Sequence, residues 1–99
     1  MSTIYHITTK EWWQEALEKR SYAPPSLKEE GFIHCCEAHQ VEGVLERYYQ
    51  NKKHLLKLII DTDLLSSEHI FEWSPSTADT FPHIYGPINL EAVKSVEEL

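Results

Sequence analysis

The feature that most constrains the fold of this chain is the run Leu55-Leu56-Lys57-Leu58-Ile59-Ile60. Nearly continuous apolar character over so few residues suits a strand covered on both faces in the middle of a sheet. Such a strand needs partners, and the chain offers several. Thr3 to Thr8, rich in β-branched and aromatic residues, reads as a first strand, with Tyr5 and Ile7 on one face and Ile4, His6 and Thr8 on the other. Phe32 to Cys36, His69 to Trp73 and His83 to Ile88 read as further short strands. In the first of these segments Phe32, His34 and Cys36 share one side.

Between the strands lie two helical patterns. Thr8-Thr9-Lys10-Glu11 has the form of a capping box, and Trp12 or Trp13 with Ala16 and Leu17 forms an apolar stripe in a helix running to about Arg20. Val41, Val44, Leu45, Tyr48 and Tyr49 carry the clearest helical spacing, weakened at Gly43 by about 1 kcal/mol. Pro24-Pro25 breaks the chain, and Ser26 to Glu29 reads as one capped helical turn ending at Gly31. Asp61-Thr62-Asp63 reads as a turn and Ser74 to Pro82 as a polar loop, and the pattern leaves the type of the tail from Leu90 open.

A length of 99 residues fits one domain, residues 1–99, burying roughly 60 to 65% of its unfolded surface. Sixteen acidic residues against nine basic ones give a charge of -7, which opposes binding to polymeric nucleic acid. No run of 18 apolar residues is present, and Met1-Ser2-Thr3-Ile4-Tyr5 lacks the order of a secretory signal, so a cytoplasmic location and no membrane partner are expected. Cys35 and Cys36 are adjacent, where a disulfide would be strained, and are read as reduced thiols. The three glycines, Gly31, Gly43 and Gly86, cannot form a P-loop or a Gly-x-Gly-x-x-Gly fingerprint.

Six histidines remain the most chemically suggestive residues, because imidazole serves as both donor and acceptor near neutrality. His6, His34 and His83 lie in strand-like segments between neighbours suited to packing, which points their rings away from the main core and toward one shared cleft. Tyr22 and Tyr85 are expected to wall that cleft, as befits a small-ligand pocket. His39, His54 and His69 read as surface or turn residues. A metal held by the three histidines is the weakest reading, since no His-x-x-x-His or Cys-x-x-Cys pair nucleates it. Glu29-Glu30, Asp61-x-Asp63 and Glu72 read as solvated charge rather than as catalytic groups.

Three blocks carry a family resemblance: Tyr5-His6-Ile7-Thr8, then Glu30-Gly31-Phe32-Ile33-His34-Cys35, then Phe81-Pro82-His83-Ile84-Tyr85-Gly86-Pro87-Ile88-Asn89. With Tyr22, Pro24-Pro25 and Ser26-Leu27 between them, they resemble an uncharacterised, mainly bacterial domain family. That family looks like a compact ADP-ribosyltransferase-like fold, similar also to RNA 2'-phosphotransferases. The resemblance implies an α+β fold with a split antiparallel β-core, two main helices packed outside, and NAD or a related nucleotide as ligand or substrate. His6 would bond the nicotinamide ribose, as an early-strand histidine does in that fold, with His34 and His83 on later strands.

Departures from the resemblance are specific. The transferases usually place a glutamate on a late core strand, where this chain has His83, and the phosphotransferases use arginines, whereas Arg20 and Arg47 fall in the helical segments. Two readings follow. In the first the chain is an enzyme, for ADP-ribosyl or related glycosyl or phosphoryl transfer or NAD glycohydrolysis, with His6, His34 and His83 catalytic and Tyr22, Ser26, Tyr85 and Thr8 binding the ligand. In the second it is a non-enzymatic ligand sensor or interaction module that keeps the fold. Replacing His6 by alanine is expected to abolish any activity and leave the fold intact.

Overall fold

The structure, a computed structural model, describes residues 2–99; Met1, the first residue of the segment read for a secretion signal, lies outside them. The elements in order are β1 (Thr3–Thr9), α1 (Lys10–Lys19), β2 (Ser21–Tyr22), α2 (Pro25–Glu30), β3 (Ile33–His34), α3 (Val41–Tyr48), β4 (Leu55–Asp61), β5 (His69–Ser74), β6 (Asp79–Ile84), β7 (Ile88–Asn89) and β8 (Val93–Glu98). Short 3-10 turns at Ala38–Gln40, Thr62–Leu64 and Leu90–Ala92 join some of them.

The apolar run forms β4, the middle strand of the sheet β1-β4-β8, with both neighbours antiparallel. Leu56, Leu58 and Ile60 point into the core, while Lys57 and Ile59 on the other face are only partly covered. Lys57 keeps its ammonium at the rim, 3.1 Å from Glu97. The expected covering of both faces is thus complete on one face and partial on the other. The undecided tail becomes β8, which supplies the outer partner of β4.

A second sheet has the order β3-β6-β5, and β2 pairs with β7 in a two-stranded ribbon. Ile4, Leu58 and Ile60 from the first sheet meet Ile33 and Ile84 from the second, with Tyr22 and Ile88 from the ribbon closing the core. Complete burial of each such aliphatic side chain contributes roughly 1.5–3 kcal/mol. Ala16 of α1 is buried and Trp13 packs against the same cluster, whereas Trp12 and Leu17 are exposed, so the stripe is narrower than its spacing suggested. Helix α1 is capped by Thr9, whose side chain accepts from the Trp12 amide at 3.1 Å, because β1 runs one residue further than expected, to the pair Thr9 and Leu55.

The largest correction lies at Pro82. A proline disfavours a central strand, and residues 74–82 read as a loop; instead β5 and β6 form a hairpin, with Pro82 inside the middle strand opposite Phe71. The Pro82 carbonyl accepts from the Cys35 amide at 3.0 Å, on the β3 side. In an antiparallel pair the amide and carbonyl of one residue address the same neighbour, so the missing N–H cancels the reciprocal bond to Cys35 and leaves the β5 side intact. Strand β3 therefore stops at His34, and Cys36 turns away to exchange backbone bonds of 2.8 and 2.7 Å with Tyr5. The expected strand from His83 to Ile88 is likewise divided, into the end of β6 and the separate β7.

Two glycines are required by geometry. Gly31 ends α2 at φ 87, as its place after the helical turn predicted, and a Cβ on Gly86 would sit 2.5 Å from Ser67 Oγ. The N-terminus of α2 has no side-chain cap, so Ser26 does not play the capping role assigned to it. No helix of the described residues is long and apolar enough to cross a membrane.

Candidate functional site

A cleft of about 620 Å³ opens between β1, α2, α3 and the β5–β6 hairpin. Its size falls within the ordinary range for small-molecule sites. Tyr5 and Ile7 of β1 form its floor, Tyr48, Tyr49, Trp73 and Phe81 supply aromatic surface, and Ser26, Glu30, His34 and His83 supply polar groups. The apolar stripe of α3 therefore serves this hollow: Val44, Tyr48 and Tyr49 line it, and no residue of the helix is fully buried. Gln40 anchors the start of α3 to β6 through bonds of 2.9 Å to both Asp79 and the Thr80 carbonyl.

His34 and His83 are brought together by register. They are direct cross-strand partners on β3 and β6, which puts both rings on one face with centroids 5.3 Å apart. Each ring has its own carboxylate. Glu30, one helical turn earlier at the end of α2, bonds His34 Nε2. Glu72 on β5 bonds His83 Nδ1 at 2.8 Å, and the same Glu72 oxygen accepts from the Tyr85 hydroxyl. The Tyr85 and His83 bonds hold the Glu72 carboxyl below its usual range, and the nearby carboxylate pushes the Tyr85 phenol up. Phe32 stacks on His83 with centroids 4.1 Å apart and planes 20° from parallel.

His6 lies elsewhere. Strand β1 presents Ile4, His6 and Thr8 to the core and Tyr5 with Ile7 to the cleft, the reverse of the orientation read from the flanking residues. The ring is 6% exposed and is absent from the cleft lining. Its Nδ1 is 2.5 Å from the His34 carbonyl and its Nε2 is 2.7 Å from the Tyr22 hydroxyl. A carbonyl can only accept, so Nδ1 carries the proton and Nε2 accepts from Tyr22. The Tyr22 hydroxyl also lies 2.8 Å from Thr8 Oγ1, which makes a three-membered polar cluster within the core. Burial lowers the His6 pKa to about 4, and burial also raises that of Tyr22, so both stay neutral near pH 7.

The seven site residues singled out by sequence thus separate into two groups. His34, His83 and Ser26 line the cleft, and Tyr85 stands beside it through Glu72. His6, Tyr22 and Thr8 form a buried hydrogen-bonded cluster, with Tyr22 also edging a smaller hollow of about 260 Å³ between α1 and α2. A three-histidine metal site is therefore not formed, and among the described residues no group of His, Cys, Asp or Glu is arranged to hold an ion. Cys35 and Cys36 are free and buried; burial raises both thiols, Cys36 to about 11, so neither is a thiolate near neutrality.

Sequence reasoning missed Glu30, Glu72 and Phe32. Glu30 stands four residues before His34, but a turn carboxylate is usually only solvated. Glu72 becomes visible only once the β5–β6 register is known: it pairs with Phe81, next to His83 on the same face.

Comparison with known proteins adds the family. The crystal structure of protein CC0527 from Caulobacter crescentus is 22% identical with a TM-score of 0.89, covering 99% of this chain and 86% of that one. A double-mutant crystal structure of the same protein is 21% identical, again with a TM-score of 0.89, at the same coverage. Its solution NMR structure is 23% identical, with a TM-score of 0.83, and covers 100% of this chain and 85% of the other. These likenesses establish a shared fold. No curated protein matches the chain. The sequence model of the family described as "Protein of unknown function (DUF952)" matches residues 7–96, and the chain belongs to that family.

Proposed function

We propose that the cleft takes NAD or a related nucleotide, with a heterocyclic ring against the aromatic residues and with His34 and His83 touching its polar groups. The observation that carries this reading is the direct pairing of His34 with His83 inside a hollow walled by Tyr48, Tyr49, Trp73 and Phe81. Flat aromatic surface suits a base or nicotinamide ring, and two adjacent imidazoles suit ribose hydroxyls or a phosphate oxygen. The resemblance of the three sequence blocks to ADP-ribosyltransferase-like and RNA 2'-phosphotransferase-like domains supports the same ligand class, and the antiparallel α+β architecture is compatible with it. His6 enters this reading indirectly, as the residue that holds the His34 backbone, and not as a group that touches ribose.

Two measurements test the reading. Titrating the protein with NAD while following the histidine ring signals should shift those of His34 and His83 in a saturable way; no shift at millimolar NAD removes the proposal. Incubation with NAD followed by detection of free nicotinamide then separates the two forms of the proposal. Release of nicotinamide marks an enzyme, and saturable binding without release marks the sensor or interaction module.

A further inference from the structure

We propose that Glu72 and Tyr85 are positioning residues that fix the proton of His83 on Nδ1, leaving Nε2 as the proton acceptor facing the cleft. This rests on the cleft being a ligand site, as proposed above, but not on the identity of the ligand. Glu72 lies diagonally across from His83 on the neighbouring strand, and one of its oxygens receives both the His83 Nδ1–H at 2.8 Å and the Tyr85 hydroxyl. A carboxylate accepts and does not donate, so the neutral ring it bonds must carry its proton on Nδ1. Tyr85, two residues after His83 and just past the end of β6, holds that same carboxylate oxygen. Phe32 covers one face of the imidazole and blocks its rotation out of line.

Among the described residues His83 Nε2 has no hydrogen-bond partner, and the ring lines the cleft with a side-chain exposure of 15%. A nucleophile, a base and a third group orienting the base is a recurrent arrangement in group transfer. Here the base and its orienting group are present, and the nucleophile would be a hydroxyl or water bound in the cleft. In that step its O–H bond breaks, the electron pair stays on oxygen, and the proton bonds to His83 Nε2. The resulting imidazolium faces the Glu72 charge. His34 differs: its carboxylate partner Glu30 engages Nε2 rather than Nδ1, and its side chain is 57% exposed. The two histidines therefore present opposite nitrogens, and His83 is the more rigidly held.

Nitrogen-15 spectra of the ring nitrogens in the full-length protein test the assignment without any substrate. In mildly alkaline solution His83 is expected to be protonated on Nδ1. Glu72→Ala should abolish that preference, and Tyr85→Phe should weaken it, with the remaining amide signals unchanged. Carbethoxylation of His83 Nε2 by diethyl pyrocarbonate should slow several-fold in Glu72→Ala, while the rate at His34 stays the same. A proton found on Nε2 in the unaltered protein, or a tautomer and reaction rate indifferent to Glu72→Ala, overturns the proposal. Failure to bind NAD would remove the nucleotide reading and leave this proton placement to be decided by the spectra alone.

Discussion

The buried His6 cluster and the cleft histidines use one side chain in two environments. His6 has both nitrogens committed to protein partners, and desolvation keeps it neutral. His34 and His83 each have one nitrogen tied to a carboxylate and stand in a hollow open to solvent. The lesson is that a histidine in a strand is assigned by the nitrogen it leaves free, and not by its apolar neighbours. The two regions are also joined, because the carbonyl that His6 holds belongs to His34. Substitutions in one region should act on stability and in the other on ligand response.

The largest effect is expected from His6→Ala. It leaves the His34 carbonyl without its partner inside the core, deprives the Tyr22 hydroxyl of one of its two bonds and opens a cavity where the ring packed, at a cost of about 3 kcal/mol. For a domain of this size that lowers Tm by roughly 12 to 24 °C in a calorimetric scan. This reverses the expectation that the fold would be spared, because the ring proves to be core. A melt within a few degrees of the unaltered protein would break the comparison.

A similar magnitude should appear as pH dependence. The His6 pKa is lowered to about 4 in the fold from 6.5, so between those values the unfolded chain binds more protons and stability rises with pH. The contribution is complete above pH 6.5 and falls by about 3 kcal/mol as the pH drops to about 4. Urea titrations across that window should show the loss in the unaltered protein and a much flatter profile in His6→Asn. The lowered carboxyls of Glu72, Asp79 and Glu98 add losses at still lower pH, common to both proteins.

Tyr22→Phe removes the hydroxyl between His6 and Thr8 and should cost about 1–2 kcal/mol by thermal melting, with the NAD response retained. Loss of that response at unchanged stability would return Tyr22 to the ligand site. The smallest change in stability, within about 0.5 kcal/mol, is expected for His34→Ala, whose side chain is largely exposed. The same variant should lose most of its saturable response to NAD.

What the sequence made legible follows from local patterns. The central place of β4 was written in its apolar run, Gly31 in its position after a helical turn, and α3 in the spacing from Val41 to Tyr49. Pro82 obscured the rest, because its effect depends on which neighbour its missing N–H would have addressed, and that is a property of the sheet. The inward turn of His6 was hidden for a related reason: Ile7 is as apolar as Ile4, so alternation gave two faces without saying which was core. Glu30 and Glu72 resembled any other surface carboxylates until register placed them against His34 and His83.

The division between the two regions is tested most directly by following all three ring signals during one NAD titration. The account predicts that His34 and His83 shift along curves with a common dissociation constant, while His6 moves least. A titration in which His6 moves most, or in which the two cleft histidines stay still as NAD saturates another site, would contradict it.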